Sequence, residues 1–264
     1  MLARRNGREQ ECVVVDVNTQ MDFCESGGAF AVANADTLIV GLRHVFAWIK
    51  RNQVPVVSSM ESHRPFELSD SGQPIHCVDG SNGQRKLPFT LLSCRTRIEV
   101  DNTFSIPFDL FTTYQQLIFR KRTDDLLSNP KADRLLTQLP VKEFILFGTG
   151  FECSVKALAL ALLTRGKSVT VVSDACGFWS RARMDLAARQ IAAKGATIIS
   201  VDELLKRKLP RDHKYPLHGL DQNGKNGLGN STDHKITLNQ KSPPTRSRTI
   251  PAPRNVQSRR SAAG

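Results

Sequence analysis

The chain has no C-x-x-C pair. Its six cysteines stand singly at positions 12, 24, 77, 94, 153 and 176, which argues against a zinc ribbon or a thioredoxin-like motif. No run approaches the roughly 18 apolar residues of a membrane helix, so no membrane partner is expected. No apolar stretch follows the opening Met-Leu-Ala-Arg-Arg-Asn-Gly; without an export signal, the expectation is a cytoplasmic protein with reduced thiols. Gly148-Thr149-Gly150 lacks the third glycine of a dinucleotide fingerprint, and no organic cofactor is indicated. Only two tryptophans occur, Trp48 and Trp179, and both read as packing or pocket-rim residues, not as platforms for stacked bases. No internal repeat is visible.

Positive charge is plentiful but uneven. The formal net charge is +12 over 264 residues, which by itself points to nucleic acid. From Lys206 to Gly264, however, 13 Lys plus Arg face 3 Asp plus Glu, leaving 24 against 22 for Met1–Leu205. The body is nearly neutral. After about Leu209 the chain is rich in Asn, Gly, Ser, Pro and Arg and poor in large apolar residues, so it cannot bury enough surface to offset the entropy of ordering. The expected organisation is one domain over 1–209 and a basic disordered tail over 210–264. Nucleic-acid contact by that tail would be non-specific electrostatics only.

Within the body, short β-branched runs alternate with segments of helical periodicity. Cys12–Val17 (CVVVDV) predicts a buried strand. Asp36 is placed to cap a helix carrying Leu38, Leu42, Val45, Phe46 and Ile49. Further strands are predicted at 54–59, 117–119, 144–147, 169–173 and 197–201. Helices are predicted at 129–139, 152–165 and 183–194, the last two ended by Gly166 and Gly195. The stretch from Met60 to Thr113 reads as long and irregular, a length that is often functional. Alternation of this kind implies an α/β fold: a doubly wound, mainly parallel six-stranded sheet with helices on both faces. Ligands in such sheets sit at the carboxyl ends of the strands, so the residues just after each strand are where chemistry should be sought.

Those residues form motifs. Strand one ends in Asp16-Val17-Asn18-Thr19-Gln20-Met21-Asp22-Phe23, and the fourth predicted strand ends in Gly148-Thr149-Gly150-Phe151-Glu152-Cys153-Ser154-Val155. Ser173-Asp174-Ala175-Cys176 ends the fifth, and His76–Lys86 and Lys121–Pro130 add two further segments. Taken in order, over about Cys12 to Leu205, they resemble the isochorismatase-like (nicotinamidase-type) cysteine hydrolases. That family shows D-x-Q-x-D-F after strand one, G-x-x-T-D-x-C-V at the elbow, and V-V-S-D-A-C later.

The resemblance implies hydrolysis of an amide or related C–N bond in a small molecule. A cysteine at a helix N-terminus attacks the carbonyl as thiolate, an aspartate carries the proton, a lysine supports the charge, and elbow N–H groups hold the oxyanion. Matched position by position, the lysine is Lys121. Counting back from Gln20, Asp22 and Phe23 puts Asn18, not Asp16, on the aspartate. Counting from Gly148 and Gly166 puts Ser154, not Cys153, on the nucleophile. The oxyanion amides would be those of Gly150 and Ser154. Asn18 cannot accept a proton as a carboxylate does, and Ser154 without a base is a weak nucleophile. Two rescues stay open. Asp16 shares a strand face with Asn18, although it lies roughly 6–7 Å deeper, and a one-residue slip at the elbow could bring Cys153 into play.

The family's metal ligands are D-x-H after strand two and a later histidine. Here they match Glu61-Ser62-His63 and Pro74-Ile75-His76-Cys77, with Glu61 in the aspartate's place. Glu61, His63 and His76 would suit zinc, iron or manganese; ordinary loop histidines are the alternative. The resemblance therefore leaves two readings, a hydrolase with a modified site or a non-catalytic ligand-binding or regulatory member. Family members often form dimers or larger assemblies, so a homo-oligomer is expected by resemblance.

Overall fold

The computed structural model describes residues 10–67, 72–99, 105–107 and 110–209; the basic tail expected over 210–264 lies outside them. Seven parallel strands form one sheet: β1 (Gln10–Val17), β2 (Val56–Glu61), β3 (Arg95–Ile98), β4 (Gln116–Lys121), β5 (Val141–Thr149), β6 (Ser168–Gly177) and β7 (Thr197–Ile199), in spatial order β3-β4-β2-β1-β5-β6-β7. The sequence predicts six. The strand it misses is β3, which has four residues, reads Arg-Thr-Arg-Ile and buries only alternate positions at the sheet edge. A short polar edge strand carries neither a β-branched run nor a continuous apolar one, so it looks like loop in sequence.

β1 is central. Val13, Val14, Val15 and Val17 are all buried, the continuous apolar pattern of a parallel strand covered on both faces. Helices α1 (Met21–Cys24), α2 (Ala35–Asn52), α3 (Leu110–Thr113), α4 (Pro130–Gln138), α5 (Lys156–Thr164), α6 (Arg181–Ala193) and α7 (Val201–Lys206) flank the sheet. The stripe Leu38, Leu42, Val45, Phe46 and Ile49 of α2 is buried as its spacing predicts. The N-cap is Asn34, not Asp36. The Asn34 side chain donates to Cys176 O and accepts from Phe178 N–H, tying the helix start to the end of β6. Asp36 lies in the first turn, where its charge favours the helix dipole. Asn129 caps α4 through the Lys131 and Ala132 amides, with Pro130 in the first turn.

From β1 the chain winds outward in two directions, through β2 and β4 on one side and β5, β6 and β7 on the other. The order therefore reverses between β1 and β5, and a crevice opens at their carboxyl ends. Asn18 follows β1 and Gly150 follows β5, so the two elbows face each other across that crevice. The close approach demands glycine. Gly148 has φ +124°, and a Cβ there would come within 2.0 Å of Val17 O.

Candidate active site

At the β5 elbow, Gly150 adopts φ +75° and residues Phe151–Val155 form a π-helical turn, with Val155 N–H donating to Gly150 O at 3.0 Å. Wide turns of this kind recur at functional sites. Here the turn brings both Cys153 and Ser154 to one pocket, with Cys153 Sγ 4.0 Å from Ser154 Oγ. Sequence reasoning treats these two as rivals for one position; the wider turn places both in the pocket lining.

The β1 elbow supplies Asn18, which is 2% exposed and has φ +50°. Its N–H donates to Ser59 Oγ and its Oδ1 accepts from that hydroxyl at 2.7 Å. Its Nδ2 donates to Glu61 Oε1 at 2.6 Å and, at a long 3.4 Å, towards Ser154 Oγ. The orientation of this amide is fixed by chemistry, because a carboxylate can only accept. The atom Asn18 turns towards Ser154 is consequently a donor.

β2 delivers Glu61 and β4 delivers Lys121 in register beside it. Lys121 Nζ donates to Glu61 Oε1 at 2.9 Å and to the carbonyls of Thr123 and Asp124. Burial works to raise the Glu61 pKa, but the Lys121 ammonium and hydrogen bonds from His63 and His76 hold it well below the usual carboxylate range. Glu61 Oε2 faces His63 Nε2 at 3.1 Å and His76 Nε2 at 3.3 Å. The ligand atoms of these three buried residues lie within 4.8 Å of one another. His76 Nδ1 lies 2.7 Å from Pro74 O. Burial works to lower the His76 pKa, but Glu61 and the Pro74 carbonyl push it up, so a metal bound there would take the place of the Nε2 proton. One carboxylate and two imidazoles fit zinc, iron or manganese by donor type.

The remaining sequence candidates are placed as follows. Asp16 is fully buried, ion-paired to Lys86 Nζ at 2.9 Å, and accepts from the Thr19 and Ser58 hydroxyls. These contacts hold it beneath the crevice, engaged with partners other than Ser154. Cys153 is half-buried, and its thiol donates weakly to Gly150 O. Burial pushes this thiol up to about 11; Asp124 and Glu152 push the same way, against hydrogen bonds from Ser154. Reactive cysteines sit far lower, at roughly 3.5–7.5.

Sequence reading assigned no role to Gln20, Phe23 or Phe30, whereas it allowed Trp179 a place at the pocket rim, where it stands. Gln20 clamps β2, donating to Glu61 O and accepting from Glu61 N–H. Phe23, Phe30 and Trp179 form one wall of the pocket, with the Phe30 and Trp179 rings stacked at 4.5 Å and His76 5.0 Å from Phe30. Phe23 stands in the D-x-Q-x-D-F motif, which was the available signal. Phe30 stands in an unremarked loop. The cavity is about 330 Å³, at the small end of the range for small-molecule sites, about 300–1,000 Å³. No helix of the described residues is long and apolar enough to cross a membrane.

Known proteins resemble this arrangement. A family model described as "Isochorismatase domain" matches residues 12–203. A curated nicotinamidase of Escherichia coli (strain K12) is 26% identical over 209 residues, covering 70% of this chain and 92% of the relative. The zinc complex of a pyrazinamidase from Pyrococcus horikoshii superposes with a TM-score of 0.58 at 20% identity, over 72% of this chain and 99% of that one. A nicotinamidase from Bacillus subtilis gives 0.58 at 14% identity, over 72% and 99%. At these identities the two solved structures speak for the fold.

Proposed function

The chain belongs to the isochorismatase family, and from that premise we propose that its pocket binds a small, flat molecule without hydrolysing it. One observation carries this reading. The side chain facing Ser154 is the Asn18 Nδ2 donor, engaged with Glu61 Oε1 at 2.6 Å, where hydrolysis needs a base. A hydroxyl whose nearest polar neighbour is a donor has no acceptor for its proton. Glu61 does not supply one, because Lys121 holds it ionised and weakly basic.

The binding half rests on what is retained. The aromatic wall of Phe23, Phe30 and Trp179 suits a planar ring. Glu61, His63 and His76 would hold a divalent metal, which when bound would offer a Lewis acid to a ring nitrogen. Lys121 keeps Glu61 charged and oriented. The curated relative is a nicotinamidase, and one solved neighbour was crystallised with nicotinate, so pyridine carboxamides and carboxylates are the first ligands to try.

A second reading, hydrolysis through Cys153, is favoured by the π-helical turn that brings its sulfur to the pocket. The raised thiol pKa weighs against it. The test is a pair of assays on nicotinamide and pyrazinamide: calorimetric binding, and release of ammonia. The expected result is binding with ammonia at background for the wild type, and ammonia above background for Asn18→Asp with Ser154→Cys. Turnover by the wild type, abolished by Cys153→Ala, would replace this reading with the second.

A further inference from the structure

Phe30 lines the pocket and is half-buried among three other rings. It stacks on Trp179 at 4.5 Å with 21° between the planes, lies 5.0 Å from His76 and stands 6.2 Å from Phe23. The backbone fixes it there. Phe30 N–H donates to Asp22 O at 3.0 Å, and Trp179 Nε1 donates to Phe30 O at 3.2 Å. The loop before it is pressed onto α1: a Cβ on Gly28 would come within 2.4 Å of Asp22 O, and Ala29 N–H donates to Asp22 Oδ1. Its stacking partner is anchored too, because Glu152 Oε1 accepts from the Trp179 and Ser180 amides, both at 2.9 Å. Two anchored rings in parallel contact make a rigid boundary, and close-packed groups of this kind give way only at a cost. The cavity of about 330 Å³ is therefore closed on this side by a ring that itself takes up the space against Trp179 and His76.

We propose that Phe30 is a specificity-determining residue: its ring fills the stacking slot on Trp179 and limits the pocket to ligands with a single aromatic ring. Removing the side chain leaves a gap bordered by Trp179, His76 and Phe23. A gap of this kind admits an aromatic ring; an engineered apolar cavity of about 150 Å³ takes up benzene. The second ring of a fused bicyclic ligand would enter there and stack on Trp179 in place of Phe30. Phe30 acts by excluded volume, so neither the lining acids nor an ion at Glu61, His63 and His76 sets this preference. The proposal rests on the binding reading given above.

The experiment uses the full chain and neutral carboxamides that differ in ring count: nicotinamide and benzamide with one ring, 1-naphthamide and 2-naphthamide with two. Benzamide and the naphthamides have no ring nitrogen, so no metal can rank them through one. Calorimetry or a competition assay should place both naphthamides about tenfold or more below benzamide on the wild type, the scale of overpacking a filled site. Phe30→Ala should move the two classes in opposite directions. Nicotinamide and benzamide should weaken about three- to tenfold with the loss of one aromatic contact, while at least one naphthamide should tighten about tenfold. The backbone bonds of residue 30 do not depend on its side chain, so the loop is retained. Phe30→Leu should shift both classes in the same senses by less, and it carries the test if the alanine variant does not fold. A naphthamide that binds the wild type as tightly as benzamide overturns the size limit and leaves the binding reading standing. So does a folded variant in which all four ligands weaken together, the mark of a merely structural side chain. Binding of none of the four to the wild type or to either variant overturns the binding reading and this inference with it.

Discussion

Asn18 Nδ2 lies 2.6 Å from Glu61 Oε1, so the residue that the resemblance matches to the family's proton-carrying aspartate is bound to the one it matches to the metal-ligating aspartate. Glutamate is one methylene longer than aspartate, and that reach lets Oε1 touch both Asn18 and Lys121 while Oε2 stays with the two histidines.

Asn18→Asp alone should therefore destabilise the protein. It would set a second carboxylate against Glu61 in a site where both positions are buried, forcing one group to take up a proton. The expected loss is about 1–3 kcal/mol, the cost of a buried polar contact turned unfavourable. Adding Glu61→Asp withdraws the opposing oxygen and should recover part of it. Urea denaturation of the wild type, the single variant and the double variant reads both effects. A single variant as stable as the wild type would mean that Asn18 is not needed as a donor to Glu61. For the same reason, hydrolysis regained by Asn18→Asp with Ser154→Cys should increase further once Glu61→Asp is added.

The thiol of Cys153 should behave as a weak nucleophile. Alkylation requires the thiolate, and burial, reinforced by Asp124 and Glu152, pushes this thiol up to about 11. Its rate with iodoacetamide should be very low near neutrality and climb about tenfold per pH unit to that value. Mapping the label by mass spectrometry separates it from Cys94, the other cysteine that is not fully buried. A plateau reached below pH 8 would mean a depressed pKa and would favour hydrolysis through Cys153.

Much of this site could be read from strand ends. Asn18, Glu61, Lys121 and Ser154 each close a strand or its elbow, and parallel strands bring such positions to one edge whatever the loops do. That is why four motifs scattered over the chain could be assembled without coordinates. What stayed hidden depends on packing between distant loops. Lys86 reads as one base among many, yet it is buried against Asp16. Phe30 acquires meaning only by stacking on Trp179. Glu152 stands at an ordinary motif position, and only the packing of the loop entering α6 shows that its Oε1 accepts from the Trp179 and Ser180 amides. The π-helical turn at 151–155 was invisible because its sequence is that of an ordinary helix start.

Purified protein should carry about one divalent ion per chain, and His63→Ala should carry none. Glu61, His63 and His76 are buried with their donor atoms within 4.8 Å, and the Pro74 carbonyl orients the His76 ring. Only Glu61 Oε2 is at hand for a metal, because Oε1 is taken by Asn18 and Lys121. Loss of one histidine would leave two donors, too few for a site that needs three protein ligands and an open position. Metal analysis after dialysis gives the stoichiometry. A zinc titration followed by thermal melting gives an independent readout, with stabilisation of about 2.7 kcal/mol at a hundredfold excess over Kd. His76→Ala should abolish that shift as fully as His63→Ala. If the wild type takes up no ion and its melting temperature ignores zinc, then the two imidazoles serve as hydrogen-bond partners that hold Glu61 in place. The pocket would then present a ligand with Lys121-paired carboxylate chemistry alone.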